Sequence, residues 1–452
     1  MNPHPHPPPG WSRRAFVGAT SAASLALAAG GAEQPPSAAR KKVALIGTHV
    51  QKFSHAQHFL DRLLEGYGWQ GRHHHPALEL AGLYIDQFPA SDLARERSAR
   101  FGVKLQPTVA DALTLGTGRL AVDGVLIIGE HGDYPRNEKG QVLYPRYKWF
   151  KEIVRVFEAS NRAVPVFNDK HLSTEWREAV EMVEDARRLK FAFIAGSSLP
   201  VTWRLPALEL PLDAPLTESV CVCYGGVDSY DFHGFETTQC MAERRQGGET
   251  GVRSMQALKG ETAWEVLDAT GREGTRRLLL AALCRSDAVS APAGYTFAEP
   301  TLDRVRQGSP NFTVFLAEHA DGFRSTVFLL NGTVEAVAFR DQRTRTSLWT
   351  DRFARDFTWA GLERGGRVHS AKFHLPMPPY NTTLADFFNP LMHHVETTIQ
   401  TGRAPYPVER TLLTTGMTAA GLDSLHRGGE RLATPWMNVA YKAPGESHFW
   451  RA

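Results

Sequence analysis

The sequence predicts an α/β protein with an N-terminal, doubly wound parallel sheet and a C-terminal α+β domain that carries a large, mainly antiparallel sheet. Between residues 41 and 172, short apolar segments alternate with segments of helical spacing, which is typical of parallel strands with helices on both faces. In the range 173–452, several predicted strands follow one another through Asp-Gly and Asn-Gly turns, a strong hairpin signal. Residues 1–40 have the composition of a leader and linker.

The elements of the first half follow from apolar spacing. Strands are expected at 42–46, 78–85, 102–105, 123–128 and 164–167, and helices at 55–64, 90–100 and 147–159. Because parallel strands end at a common edge, the ligand crevice is expected at their carboxyl ends.

In the second half, consecutive strands are joined by short turns instead of alternating with helices. Helices are expected at 174–189, 232–245 and 386–401, and strands at 216–224, 312–316, 325–330 and 334–339. The pairs Asp321-Gly322 and Asn331-Gly332 predict the turns of a meander. Gly402 follows the last helix at the position where glycine ends helices.

The leader carries an export signal. Residues 12–17 (Ser-Arg-Arg-Ala-Phe-Val) match the twin-arginine pattern, and residues 15–29 are uncharged and small. That segment is shorter than the ~20 apolar residues of a membrane span. We therefore expect a periplasmic or extracytoplasmic protein without a stable membrane span. The alternative is a low-complexity leader with a chance arginine pair.

Composition narrows the function classes. The chain has 452 residues, 42% of them apolar, and a formal charge of only +3, which is typical of a soluble globular protein and gives no footprint for nucleic acid. The four cysteines (Cys221, Cys223, Cys240 and Cys284) form no metal-type Cys-x-x-Cys pair. Cys221 and Cys223 alternate on a predicted strand, and we expect them to be buried free thiols.

The first predicted strand ends in an incomplete glycine fingerprint. Lys42–Gly47 is an apolar strand followed by one glycine, but His49 and Lys52 stand where a G-x-G-x-x-G motif has its second and third glycines. The second glycine lets the backbone approach a pyrophosphate, and the third lets the helix pack on the strand. The sequence thus predicts a Rossmann-like frame and leaves dinucleotide binding open.

Four stretches, taken in order, resemble the Gfo/Idh/MocA family of sugar oxidoreductases. They are Lys42–Gly47; Leu80–Asp86 with the helix after it; Val164–His171, where the family has a strand ending in Glu-Lys-Pro; and Gly225-Gly226 followed by His233-Gly234-Phe235-Glu236. The late helix ending in Thr-Gly-Arg is also similar. The chain departs from the family in its glycines, in His171 after the lysine and in about ten extra residues near 136–146.

The resemblance implies an oxidoreductase that acts on a sugar or polyol with a tightly held NAD or NADP. Lys170 would bind the substrate hydroxyl and stabilise the developing alkoxide. His233 would be the general base, with Asp231 and Glu236 flanking it to fix its tautomer. The plainer alternatives are a solvated strand-end lysine and a core histidine bonded to backbone.

The cofactor would lie along the strand ends. Gly47, Thr48 and His49 form the turn after the first strand, where the Thr48 and Ser54 hydroxyls or His49 would hold a pyrophosphate. Asp86 would accept the ribose hydroxyls, which favours NAD, unless it only caps a helix. The run Gly129-Glu130-His131 would pass near the nicotinamide.

Several clusters leave alternatives open. Asp228, Asp231, His233 and Glu236, with Glu130, His131 and Asp133, offer ligands for a divalent metal, but their spacing matches no closed zinc motif and we predict no metal there. His73-His74-His75 is expected to be an exposed loop. The segment between Arg136 and Arg146, with Tyr134, Tyr144 and Tyr147, would clamp a polyol or contact another subunit. The resemblance also implies a homo-oligomer formed through the C-terminal sheet.

Two other function classes compete with the oxidoreductase. One is a cofactor-poor or metal-dependent carbohydrate lyase or hydrolase in the same crevice, which the substituted glycines motivate. The other is a non-catalytic sugar-binding protein on the same frame.

Overall fold

The structure is a computed structural model that describes residues 40–286, 289, 300–334, 356–374 and 386–451. The chain from Lys41 onward forms one compact unit. The predicted export leader and the final residues of the strand expected at 334–339 lie outside the described residues. Extracytoplasmic location therefore stays a prediction. No helix in the described ranges is long and apolar enough to cross a membrane.

The strands and helices are numbered in chain order. The strands are β1 (Lys41–Gly47), β2 (Tyr67–Trp69), β3 (Arg72–His74), β4 (Leu78–Ile85), β5 (Gly124–Ile128), β6 (Val166–Asp169), β7 (Phe193–Gly196), β8 (Trp203–Leu205), β9 (Leu216–Cys223), β10 (Glu249–Thr250), β11 (Val252–Lys259), β12 (Thr313–His319), β13 (Arg324–Leu329), β14 (Asp356–Glu363), β15 (Val368–His374), β16 (Leu432–Ala433) and β17 (Ala440–Tyr441). The helices are α1 (His55–Leu64), α2 (Ala94–Phe101), α3 (Val109–Thr114), α4 (Arg146–Ser160), α5 (Trp176–Leu189), α6 (Tyr230–Ala242), α7 (Glu261–Asp268), α8 (Glu273–Leu283), α9 (Leu302–Gly308), α10 (Phe388–Thr401) and α11 (Glu409–His426).

The first sheet is parallel and doubly wound, as predicted. Its strand order is β4-β1-β5-β6-β7. Alternate residues of β1 enter two separate cores: Val43 and Leu45 pack with α1 and α10, whereas Ala44 and Ile46 pack with α3, α4 and α5. The sheet continues to Gly196, past the domain boundary expected at residue 172, because α5 is its last crossover helix.

The second sheet has eight strands in the order β16-β11-β12-β13-β9-β14-β15-β8, mostly antiparallel. Its one parallel neighbour pair among the described strands is β13 with β9. Cys221 and Cys223 are buried free thiols, as predicted, on the face that α6 and α11 cover. Val220 and Val222 point to the opposite face, which α7 and α8 cover. Helices therefore lie on both faces of this sheet, and the predicted oligomer stays untested.

Local predictions succeed where capping and turn chemistry are strong. Helix α1 has the predicted bounds, and the β12–β13 hairpin turns at Gly322, whose φ is +86°. The strand expected at 102–105 is wrong: this segment makes only a single bridge, Leu83 with Leu105. Helix α2 begins four residues later than expected, because the Asp92 carboxylate accepts the N–H groups of Ala94 and Arg95.

Candidate active site

A cavity of about 160 Å³ opens at the carboxyl edge of the parallel sheet. Residues from both halves of the chain line it: Phe53, His55, His58, Glu130, His131, Lys170, Ser198, Leu199, Ser229, Tyr230, His233, Phe357, Phe387 and Phe388. Four residues predicted from the sequence (Glu130, His131, Lys170 and His233) therefore meet here. The aromatic rings give the cavity apolar walls around a few polar groups, which is typical of small-molecule sites.

Lys170 projects into this cavity from the end of β6. It is 4% exposed, and its backbone N–H donates to the Gly196 carbonyl, which pins the end of β6 to the end of β7. Its φ of +74° is in the left-handed region, which costs energy for a residue with a Cβ. The ammonium Nζ lies 3.0 Å from both ring nitrogens of His55 and 4.0 Å from Asp169 Oδ2.

His55 is a site residue that the sequence analysis missed. It is the first residue of α1, directly after the Ser54 N-cap, and its Nδ1 lies 2.7 Å from Asp169 Oδ2. Burial, followed by the charge of Lys170, lowers the pKa of His55 well below its usual value. The ring is therefore neutral near pH 7 and links Asp169 to the lysine. His55 is the first residue of the first helix after β1, and this position in the sequence could have indicated that it lies near the crevice.

Glu130 is held by a buried arginine. Arg146, the first residue of α4, donates from Nη2 to Glu130 at 2.9 Å and from Nε to the Gly129 carbonyl at 2.8 Å. A Cβ on Gly129 would lie 2.6 Å from Arg146 Cγ, so the glycine makes room for the arginine. Burial alone would raise the pKa of Glu130, but the charges of Lys170 and Arg146 lower it to about 2.

Arg146 therefore differs from the first of the two roles left open for its segment, a clamp on a polyol, and the second, a subunit contact, stays untested. The arginine is 2% exposed, and Nη1 lies 3.0 Å from His171 Nε2, which stands in place of the family's proline. The sequence segment before it forms a compact turn in which Tyr134 and Tyr144 pack edge to face at 5.5 Å. The guanidinium holds Glu130, the Gly129 carbonyl and His171 in place through hydrogen bonds.

His131 completes the polar wall. Its φ is +66°, and its Nδ1 accepts the backbone N–H of His55 at 3.4 Å. Its ring is nearly parallel to that of His49, with centroids 6.3 Å apart. Burial chiefly lowers the pKa of both histidines, although nearby carboxylates oppose this. His49 is thus buried beside His131.

His233 reaches the cavity from the first turns of α6. Burial, followed by the charge of Lys170, lowers the pKa of His233 well below its usual value. Its Nδ1 has no hydrogen-bond partner within the described part of the chain. Phe357 packs edge-on against the ring at 5.9 Å. A neutral imidazole with a vacant nitrogen beside an ammonium is suited to accept a proton.

The roles expected for Asp231 and Glu236 are wrong. The Asp231 carboxylate accepts the backbone N–H of Ser229 at 2.9 Å, and Glu236 bonds Thr414 Oγ1 at 2.6 Å and the Ser197 N–H at 3.2 Å. Neither carboxylate hydrogen-bonds His233 in the structure. The helical turn places Glu236 three residues further along α6, where it faces α11 and the end of β7 instead of the imidazole.

Burial makes Glu236 a source of pH-dependent stability. It raises the pKa of Glu236 to about 7, against about 4.3 in an unfolded chain. Folding therefore favours the protonated form, and its contribution is complete below about pH 4 and is lost as the pH rises to about 7. We expect Glu236→Gln to raise the free energy of unfolding at pH 8 by roughly 4 kcal/mol at most, at about 1.4 kcal/mol per pKa unit.

Urea unfolding at pH 5 and pH 8 measures this effect. The variant should differ little from the wild type at the lower pH and exceed it at the higher one. Burial also raises the pKa of Asp231 to about 7, so the free energy of unfolding of the wild type and of the variant should both still fall with pH because of Asp231. Equal stability of variant and wild type at both pH values would contradict the assignment.

The turn after β1 uses its own polar groups. Thr48 Oγ1 donates to the Glu130 carbonyl at 2.6 Å, and Ser54 Oγ accepts the Gln57 N–H as the N-cap of α1. Thr48 and Ser54 are both buried, so the expectation that their hydroxyls hold a pyrophosphate is wrong for this conformation. Gly47 serves packing: a Cβ there would lie 3.0 Å from Ile85 Cδ1.

Asp86 stands at the end of β4, as predicted, but both its oxygens are occupied. Tyr84 and Tyr134 each donate a phenol hydroxyl to the carboxylate at 2.7 Å. The side chain is exposed and caps no helix. A ribose that bonded both oxygens would have to share them with these two phenols or displace them.

The divalent-metal alternative does not assemble around α6. Asp228 Oδ2 accepts the Val142 N–H at 3.0 Å, and Asp231 and Glu236 are engaged as described. In the described ranges, none of the seven candidate ligands belongs to a group with three ligand atoms close enough for one ion.

No protein-family model and no curated protein matches this sequence. Among solved structures, the chain is similar to GenD2 from gentamicin A biosynthesis, determined in complex with NAD, at a TM-score of 0.51 and 12% identity, covering 88% of this chain and 97% of that one. It also aligns with a myo-inositol dehydrogenase from Lactobacillus casei, in complex with NAD(H) and myo-inositol, at a TM-score of 0.49 and 10% identity, covering 87% and 96%.

The likeness to GenD2 shows the fold alone: a parallel N-terminal sheet followed by a larger, mostly antiparallel sheet, which is the fold class that the sequence predicts. Activity has to be argued from the residues of the cavity.

Proposed function

We propose that this protein is an oxidoreductase that acts on a sugar or polyol by hydride transfer with a nicotinamide cofactor. The observation that carries the proposal is the convergence of Lys170 and His233, from different halves of the chain, on one cavity at the carboxyl edge of the parallel sheet. The NAD bound in the GenD2 structure supports the cofactor class. A cation and a neutral imidazole facing one small cavity suit the oxidation of a secondary alcohol.

The residues divide the work as follows. Lys170 donates a hydrogen bond to the substrate hydroxyl and stabilises the alkoxide as it forms. His233 accepts the hydroxyl proton on Nδ1, which has no hydrogen-bond partner among the described residues. Burial lowers the pKa of the ring, so the imidazole is unprotonated near pH 7 and has this nitrogen available. Asp169 and His55 position the lysine from behind, and the apolar rings of the cavity keep water from the reacting carbon.

The cofactor fits one end of this site better than the other. A bound nicotinamide supplies the hydride acceptor, and Glu130 and His131 would border it at the cavity wall. Asp86 is at the right strand end for the ribose once Tyr134 moves. The turn after β1, by contrast, donates its Gln51, Phe53 and Ser54 N–H groups within itself, so a pyrophosphate has to rearrange it.

That closed turn favours a second candidate function. A carbohydrate lyase or hydrolase without a dinucleotide would use the same cavity, with His233 as base and Lys170 stabilising the charge that develops on the substrate. Such an enzyme does not bind a pyrophosphate at this turn, so the internal hydrogen bonds of residues 48–57 do not have to break when the substrate binds.

Nucleotide binding separates the two candidates. We expect calorimetry to detect NAD binding, and Asp86→Ala to weaken it about tenfold or more, because hydrogen bonds to charged groups contribute about 1.5–3 kcal/mol. Tyr134→Phe is the matched variant: it removes the competing phenol while keeping Asp86, and should bind NAD at least as tightly as the wild type.

Mass spectrometry and absorbance near 340 nm of gently purified protein detect any nucleotide that stays bound. If neither NAD nor NADP is retained or bound in the calorimeter, the oxidoreductase proposal fails and the second candidate stands.

A further inference from the structure

A cluster of metal-type ligands lies outside the catalytic cavity. The β2–β3 hairpin packs on α10, and there His74 of β3 meets His393 and Glu396 of α10. One ligand atom from each of the three residues lies within 4.8 Å of the others. His393 and Glu396 are three residues apart on one face of the helix, so a single helix supplies two neighbouring ligands.

The carboxylate in this cluster is firmly oriented. Glu396 Oε1 accepts the Ala77 N–H at 2.7 Å, while Oε2 lies 2.7 Å from His74 Nε2. Tyr67 donates a further, longer hydrogen bond of 3.4 Å to Oε2. The Glu396 side chain is 9% exposed. Hydrogen bonds of this kind, from groups that do not themselves bind the ion, orient a metal ligand, and they hold the Glu396 carboxylate in place with or without an ion.

The second histidine sets this cluster apart from a simple hydrogen-bonded latch. The ring of His393 stacks on Trp69 with centroids 4.4 Å apart, and its buried Nδ1 has no hydrogen-bond partner among the described residues. A latch between the hairpin and α10 would need only His74 and Glu396, and would leave His393 Nδ1 buried without a hydrogen-bond partner among the described residues.

We propose that His74, His393 and Glu396 form a binding site for a divalent transition-metal ion of the zinc type. Two imidazoles and one carboxylate, with water in the fourth position, are a common zinc ligand set. Bond lengths of about 2.0–2.1 Å would place the ligand atoms roughly 3.3 Å from one another. The distance between His74 Nε2 and Glu396 Oε2 would have to open from 2.7 Å, and the longest separation, which is no more than 4.8 Å, would shorten by about 1.5 Å at most. The ion takes the place of the hydrogen between His74 and Glu396.

The two neighbouring histidines are natural controls. His73 and His75 are exposed, whereas His74 is half-buried, because successive side chains of a strand point to opposite faces. His73 Nε2 lies 2.7 Å from the Glu65 carbonyl, away from α10. His73 and His74 therefore belong to β3 and His75 follows it, where the sequence predicted a loop; His73 and His75 are exposed, as expected.

Calorimetric titration of the tag-free full chain with zinc chloride tests this site. We expect one tight equivalent in the wild type and in His73→Ala and His75→Ala, and a loss of affinity of at least tenfold in His74→Ala and Glu396→Gln. The leader histidines His4 and His6 are the same in every variant. Thermal unfolding with and without zinc gives a second readout, since a ligand that binds only the folded state raises Tm.

His393→Gln separates a metal site from a latch, because it leaves the His74–Glu396 hydrogen bond in place. It should fold like the wild type by circular dichroism and still lose the tight zinc equivalent. Wild type without a tight equivalent, or His393→Gln with undiminished zinc affinity, would overturn the proposal. So would an equal loss in His73→Ala, which would show that the histidines bind zinc through the surface alone.

Discussion

Lys170→Ala is expected to lower turnover by about two to three orders of magnitude while the protein stays folded. Removing one preorganised donor to a developing oxyanion typically costs about 10²–10³ in kcat. The fold should survive, because Glu130 keeps its contact with Arg146, and Asp169 keeps its contact with His55. The measurement is the initial rate on whichever polyol or sugar supports NAD reduction in a substrate screen, with circular dichroism of both proteins.

Lys190→Ala is the matched control for this prediction. Lys190 also has a positive φ, +58°, but it is exposed at the end of α5 and does not line the cavity. Its substitution removes a lysine from the same backbone conformation and should leave turnover unchanged. If Lys170→Ala kept the wild-type kcat, the lysine would have no place in the catalytic machinery.

Arg146→Met is expected to have the largest effect on stability, about 3–5 kcal/mol, because it leaves Glu130 largely buried without the cation that donates a hydrogen bond to it. Arg146 is 2% exposed, and Glu130 14%. The variant also loses the bonds to the Gly129 carbonyl and His171, which tie β5 to β6. Urea unfolding followed by tryptophan fluorescence measures the change in the free energy of unfolding.

The double variant Glu130→Gln/Arg146→Met tests the physical reason. With the carboxylate neutral, the stranded charge is gone, and a substantial part of the lost stability should return. Two results would show that the Glu130–Arg146 pair does not stabilise the fold. One is additive losses of unfolding free energy in the double variant, and the other is an Arg146→Met variant whose free energy of unfolding is within 1 kcal/mol of that of the wild type.

Much of the cavity follows from the sequence because parallel strands end at a common edge. Glu130 and His131 follow β5, and Lys170 follows β6, so neighbouring strand ends bring them together without any knowledge of side-chain packing. His233 could be placed only through the family resemblance, since it comes from a separate part of the chain. For Glu130, His131 and Lys170, the order of the strands and the family resemblance predict the same position in the cavity.

The rest depends on contacts that local patterns do not encode. Whether Glu236 faces His233 or α11 is decided by the rotation of α6, and an acid three residues away in sequence gives no information on it. Tyr84 belongs to β4, but the second tyrosine on Asp86, Tyr134, comes from the loop that follows β5. His74 and Glu396 are 322 residues apart, so only tertiary packing reveals their hydrogen bond.

The left-handed backbone of Lys170 has a consequence for how this protein would evolve. Glycine is the residue that adopts such a conformation without strain, so the backbone at this position would be relieved by losing its side chain. Selection for heat tolerance alone would therefore tend to erase the lysine, and selection for turnover would restore it. A lineage that no longer needed the reaction should show the change at this position early, with the surrounding fold intact.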